Sequence, residues 1–286
     1  MINLQDKIGI LLEFNPESVE IKLGLNVNFM NQWEKTLEKN GLWKSLRFAH
    51  HHTDDKGRVI TEPELWNYRN PGSVLYHGFQ GIWKGHVSDL VARYGIRPDV
   101  TALHGGRIGS EYIRTEGHEH LSGFPEIYET VYGNNGYLLF KTAAESGNRE
   151  DIAGVMFVIA EPGDHVVFPP GYQHITVNLG REGEGFLMTD WVSPNARTDF
   201  QYIKRHNGAP YWVTPGKTGL DFIKNPKYKG RVPPVRRVRP AEEIPELGLK
   251  KGRSMFDLER VNIDAISKFL NSDSEQDFFK RIFVDF

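Results

Sequence analysis

The sequence predicts an all-β protein whose central strands form an antiparallel barrel or double sheet, and three observations carry the prediction. From Ser73 to Val192 short apolar runs recur, most of them separated by Gly, Pro or Asn turns such as Gly133-Asn-Asn-Gly136. The 29 glycines and 16 prolines of the chain supply the turns that such a fold needs. Three histidines and a glutamate stand in two separate segments, His118, His120 and Glu126 in the first and His174 in the second, a gap that only a compact fold closes.

Taken in order, the chain opens with two short strands, Ile8 to Phe14 and Ser18 to Lys22, joined by the turn Asn15-Pro16-Glu17. Phe29, Met30, Trp33 and Leu37 then fall at helical spacing and Asn40-Gly41 ends them as a C-cap would, so residues 28–40 are predicted as a helix packed on the outside of a sheet. Residues 45–72 are mixed and polar. The triplet His50-His51-His52 reads there as a turn, because consecutive side chains on a strand alternate faces and three in a row cannot converge on one ion.

The strand series follows: Val74 to Tyr76, Val100 to Leu103, Tyr112 to Arg114, Glu126 to Tyr132, Tyr137 to Lys141, Val155 to Ile159, His165 to Phe168, Ile175 to Val177 and Phe186 to Val192. Ser88 to Tyr94 is a single helical excursion among them. Beyond Tyr202 the rhythm fades. Lys224, Lys227, Lys229, Arg231, Arg236, Arg237 and Arg239, interrupted by Pro226, Pro233 and Pro234, read as extended chain lying across an acidic face. Asn262 to Leu270 and Ser274 to Phe283 read as two short helices docked on the domain or on a second subunit. The division that results is 1–44, N-terminal strands and helix packed on the barrel; 45–230, the metal-binding catalytic domain; and 231–286, a C-terminal extension with short helices.

Composition narrows the chemistry. With no cysteine, disulfides, thiolate nucleophiles and cysteine-held zinc are excluded, so a metal must be held by nitrogen and oxygen. A formal net charge of −2 gives no basic field for nucleic acid. No apolar run reaches the roughly 18 residues of a membrane helix, and Met1 to Lys7 lacks an apolar signal core, so a cytoplasmic protein is expected.

In a strand, residues i and i+2 share a face, so His118 and His120 aim at one ion while Glu119 faces away. Glu126 follows at a distance that a hairpin brings back to the same interior, and His174 begins a strand after the turn Pro169-Pro170-Gly171. Three imidazoles and a carboxylate suit one divalent ion, with Fe(II), Mn(II), Zn(II), Ni(II) and Co(II) all compatible. Four protein ligands on a six-coordinate metal leave two positions for substrate or water, which is a catalytic rather than a closed arrangement. His165 reads as a rim or surface residue.

His-x-His followed by Glu126 and Gly133, and then the run from Gly163 through Pro169, Gly171 and His174 to Asn178, resembles the paired motifs of the cupin superfamily, departing from the first by Tyr112 where a glycine is usual. That resemblance implies a jelly-roll β-barrel with the metal inside, carrying peripheral helices in the N- and C-terminal extensions. More narrowly, Thr101-Ala-Leu-His-Gly-Gly-Arg-Ile-Gly-Ser-Glu-Tyr-Ile-Arg-Thr115-Glu-Gly-His-Glu-His120, Glu126-Ile-Tyr128 and Pro169 to Asn178 resemble the archaeal-type, cupin phosphoglucose isomerases.

This second resemblance implies His118, His120, Glu126 and His174 as metal ligands, Fe(II) or Mn(II) as the foremost candidates for the ion, and Tyr76, Thr101, Thr115 and Gly117 as the phosphate-holding residues. It implies interconversion of glucose 6-phosphate and fructose 6-phosphate, and a homodimer. Glu126 is then the candidate base, with a hydride shift as the alternative, and Tyr128, two residues on and on the same face, is a donor to a substrate oxygen or a packed core tyrosine. Val192 and Phe200 stand near positions where the family has tyrosines, so part of the sugar-binding wall is expected to differ. The alternatives are a cupin acting on another phosphosugar, an Fe(II) dioxygenase, and a non-catalytic sugar-binding module.

Overall fold

The computed structural model describes residues 2–4, 12–17, 20–23, 31–36, 74–80, 89–108, 110–121, 123–143, 150–271 and 278–285. Eleven strands make its two main sheets: β1 Asn31–Thr36, β2 Val74–Gln80, β3 Arg97–Leu103, β4 Glu126–Tyr132, β5 Asn135–Thr142, β6 Ile152–Ala160, β7 His165–Phe168, β8 Gln173–Asn178, β9 Phe186–Val192, β10 Val235–Pro240 and β11 Phe283–Asp285. Their orders are β7-β4-β9-β3-β2-β1 and β8-β5-β6-β10-β11. All pairings are antiparallel except β6 with β10. The all-β double sheet read from the sequence is therefore the fold, in a jelly-roll sandwich; among the described strands no closed barrel forms.

The sheets face each other across an aromatic interior. Tyr137 of β5 sets its ring 5.4 Å from that of Tyr128 in β4 and 5.2 Å from that of Phe168 in β7. The outer faces are covered as well. Tyr202 and Ile203 of helix α2 (Gln201–Arg205) and the hairpin Tyr211–Gly216/Gly219–Lys224 pack on the five-stranded sheet. Phe256, Ile266 and Leu270, the last two on helix α3 (Ile263–Asn271), pack with Trp191 and Ile127 of the six-stranded sheet. Cover on both sides is why β4 and β9 are buried almost end to end instead of alternating.

Three sequence expectations change. The helix over residues 28–40 is replaced, where the structure describes it, by strand β1, which pairs with β2; helical spacing of four apolar residues is a local signal, and a partner strand offering a backbone ladder overrides it. The second C-terminal helix, Ser274 to Phe283, gives way at its described end to a 3-10 turn, Phe278–Lys280, and strand β11. The basic stretch is not merely extended chain: Val235–Pro240 adds a strand to the sheet, with Arg236 ion-paired to Asp285 at 2.6 Å and Arg239 3.8 Å from Glu161. The helical excursion (α1, Asp89–Tyr94) and the N-terminal strand pair (Leu12–Asn15 with Glu20–Leu23) are present. His50, His51 and His52 lie outside the described residues.

Candidate metal centre

Strand pairing brings the four proposed ligands together. His118 and His174 form an antiparallel bridge with backbone hydrogen bonds in both directions, His118 N–H to His174 O at 3.1 Å and His174 N–H to His118 O at 2.9 Å. His120 lies on the short strand Glu119–Leu121, paired with Arg197–Asp199, and Glu126 opens β4.

One step upstream the register slips. Arg114 pairs with Val177 and His118 with His174, so one side of the pairing carries an extra residue. Gly117, at φ 80°, lies in this irregular stretch. A Cβ there would stand 2.2 Å from Ile175 Cγ1 and 2.9 Å from His174 O, so the position requires glycine.

His118 Nε2 stands 3.3 Å from His120 Nε2 and 3.1 Å from His174 Nε2. Glu126 Oε2 stands 3.2 Å from His174 Nε2 and 3.8 Å from His120 Nε2. Ligand atoms about 2.1 Å from a shared ion lie about 3.0 Å apart along an octahedral edge and about 3.4 Å apart in a tetrahedron, so the cluster has the dimensions of a coordination shell.

Protonation agrees. The His120 Nδ1–H donates to Phe124 O at 3.2 Å, which leaves its Nε2 lone pair turned toward the cluster. Burial first, and then the neighbouring imidazoles, lower His118 well below the ordinary histidine value; burial also lowers His120. Burial alone would raise Glu126, but His120, His174 and His118 overcome it and hold the carboxyl below the usual range. Its buried Oε2 has no hydrogen-bond partner. One carboxylate oxygen and three imidazole nitrogens gathered this closely are a donor set that fits a divalent ion.

Tyr128 is packed in the core, one of the two readings the sequence allowed. Its ring is packed 4.3 Å from Phe168 and 6.1 Å from His174, and burial together with the Glu126 carboxylate raises its hydroxyl well above the ordinary tyrosine value. Thr101 is the register partner of Met188, and Thr115 Oγ1 accepts the N–H of Thr176 at 3.1 Å, while the Thr176 hydroxyl donates to Met188 Sδ at 3.7 Å. Thr101 and Thr115 therefore border the same part of the interior. Tyr76 pairs with Leu103 on the neighbouring strand.

Sequence reasoning missed a row of titratable groups beside Glu126. Across the sheet Tyr128 lies opposite Asp190 and Asp190 opposite Asp99, and Arg97 grips Asp99 with two arms, Nε to Oδ1 at 3.1 Å and Nη2 to Oδ2 at 2.9 Å. Burial and then the Glu126 charge raise Asp190 well above the usual carboxylate range. The available signal was Asp190 standing inside the otherwise apolar run Phe186 to Val192. Phe200, 5.5 Å from the His118 ring, carries Lys204 Nζ 5.3 Å over its own ring, and Lys204 pairs with Glu116 at 3.2 Å. His165 is neither rim nor surface: it is buried on the outer face of the sheet, opposite Glu129. Asn178 shapes a turn, donating to Leu103 O and Glu184 O and accepting from Gly180 N–H.

Residues 71–229 match the family model described as glucose-6-phosphate isomerase. The chain is 33% identical over 180 residues to the glucose-6-phosphate isomerase of Thermococcus litoralis, a match covering 62% of this chain and 85% of that one. It is 32% identical over 130 residues to that of Thermococcus onnurineus, covering 45% of this chain and 62% of the relative's length. Among solved structures, a cupin-2 domain from Rhodospirillum rubrum aligns over 43% of this chain and 64% of that one at 9% identity, with a TM-score of 0.29.

Proposed function

The chain belongs to the glucose-6-phosphate isomerase family, of the archaeal, cupin type, and we propose that it interconverts glucose 6-phosphate and fructose 6-phosphate at a metal centre held by His118, His120, Glu126 and His174. The carrying observation is the convergence of three imidazole Nε2 atoms and one carboxylate oxygen to within 4.8 Å of one another. A divalent ion, Fe(II) or Mn(II) foremost, supplies Lewis-acid polarisation of the oxygens on C1 and C2 when bound there.

The protein's own groups supply the rest. Neutral His118 and His120 keep their donor atoms unprotonated, and Glu126, held as a carboxylate, is the base that takes the proton from C2 of glucose 6-phosphate and returns it to C1, while the hydroxyl proton passes from O2 to O1. Tyr128, its hydroxyl protonated at neutral pH, donates to a substrate oxygen beside Glu126. Thr101, Thr115, the Gly117 backbone and Tyr76 hold the phosphate, for which hydroxyl and N–H donors are suited. The aromatic interior excludes water from the reacting carbons.

The test is direct. Metal-stripped protein is reloaded with each divalent ion in turn and given fructose 6-phosphate, and glucose 6-phosphate is followed through a coupled dehydrogenase. Turnover with Fe(II) or Mn(II) is expected, and no turnover with any ion overturns the proposal.

A second reading, the same chemistry on a different phosphosugar, draws on the Arg97–Asp99–Asp190 row and on Phe200 beside His118. Carboxyl groups set among apolar walls are suited to reading sugar hydroxyls, and a panel of hexose and pentose phosphates ranks the two by kcat/KM. The proposal extends to a cytoplasmic homodimer, which gel filtration of the full chain tests; among the described residues no helix is long and apolar enough to cross a membrane.

A further inference from the structure

β4 has a second chemical face. Glu126 and Tyr128 point between the sheets, whereas Glu129 and Val131 point outward and line a cleft of 990 Å³ closed on its other side by Lys250 to Arg260. That volume is at the upper end of the range for small-molecule sites, about 300 to 1,000 Å³. The closing wall lies beyond residues 71–229, so the family-matched region contributes only the floor.

The wall is held in place. Glu129 accepts the Met255 N–H at 2.8 Å and the Ser254 hydroxyl at 3.4 Å. The Arg253 N–H donates to Lys250 O at 3.0 Å, and the Arg253 carbonyl accepts from buried His165. Phe256 packs edge-on against Trp191, ring centroids 5.6 Å apart.

Its charge is only partly spent. Lys250 is paired with Glu243, Lys251 with Glu161 and Asp164 at 3.2 and 2.9 Å, and Arg260 with Asp257 at 3.4 Å. Arg253 forms no ion pair among the described residues, although its backbone is pinned at both ends. A guanidinium offers a planar fork that matches the oxygens of a phosphate group. Glu129, the carboxyl on the floor, is raised by burial to about 8 and stays uncharged at neutral pH, so it does not repel an anion.

We propose that this cleft is a second binding site, for a small phosphate-bearing anion held by Arg253, on the face of β4 opposite the metal centre.

Titration calorimetry of the metal-loaded full chain with inorganic phosphate tests this. Wild type is expected to show an Arg253-dependent site whose affinity falls roughly tenfold or more in Arg253→Ala, with basal isomerase turnover unchanged. Since phosphate also fits the proposed substrate end, the titration is repeated in Thr115→Val, where the Arg253-dependent site must persist whatever becomes of the isomerase reading. Hydrogen exchange on wild type serves independently of any variant, with phosphate expected to protect residues 250–260. Equal affinity in wild type and Arg253→Ala, no binding by wild type, or protection confined to residues 115–118 overturns the proposal.

Discussion

His118 Nε2 and His174 Nε2 face each other at 3.1 Å across two segments far apart in sequence. That relationship predicts strong coupling between metal binding and folding. Loading with Mn(II) or Fe(II) should raise the melting temperature in proportion to the logarithm of ion concentration, since only the folded chain assembles the ligands. His118→Ala should lower ion affinity by more than about 100-fold, because it removes a ligand outright whereas loss of a supporting contact alone costs about 10- to 100-fold. Metal content after desalting checks this; full retention of the ion would show that the ligands are misassigned.

Gly117 carries the second prediction. Gly117→Ala forces a methyl group against Ile175 and the His174 carbonyl, from a backbone angle that side chains rarely adopt. Left-handed strain and overpacking each cost about 1 to 3 kcal/mol. The variant should melt several degrees lower and, because the bridge that holds His118 to His174 is the part that must move, should bind metal more weakly as well. A lowered melting temperature with unchanged metal affinity would place the strain elsewhere than in the His118–His174 bridge.

How much of this was legible in the sequence follows from the range of each signal. His118 and His120 were readable because alternation along a strand is local, and Glu126 and His174 because turns flank them. The identity of β1 was not: Trp33 and Leu37 sit at a helical interval, and what makes Asn31–Thr36 a strand is β2, many residues away. The hairpin Tyr211–Gly216/Gly219–Lys224 escaped notice because Pro215 and Gly216 interrupt its pattern. Asp190 was hidden in an apolar run, and its closeness to Glu126 is a matter of strand order, which no local pattern reveals.

Thr115 separates the two ends of the proposed site. Its hydroxyl oxygen already accepts the Thr176 N–H, so its remaining capacity is to donate to an anion. Thr115→Val should raise KM for the sugar phosphate roughly tenfold or more, as expected for losing a hydrogen bond to a charged group, while metal content stays at one ion per chain. Thr115→Ser, which keeps the hydroxyl, should restore most of the affinity. A drop in metal content in Thr115→Val would move this residue from the phosphate end to the metal end.

Glu129 and His165, register partners on the outer face of the six-stranded sheet, predict a pH profile of stability. Burial raises Glu129 from 4.5 to about 8, so the folded chain holds that proton more tightly than the unfolded chain; its contribution is complete below about 4.5 and is lost as pH rises to about 8. Burial lowers His165 from 6.5 to about 4, so its contribution is complete above 6.5 and is lost as pH falls to about 4. The two losses run in opposite directions, and the contribution of this pair should be greatest in the mildly acidic range. Glu129→Gln keeps an acceptor for the Met255 N–H and removes the titration, so urea melts of the variant should lack the alkaline decline, which amounts to a few kcal/mol in wild type. If wild type and Glu129→Gln lose stability in parallel between pH 5 and pH 8, Glu129 is not the buried proton that this packing implies.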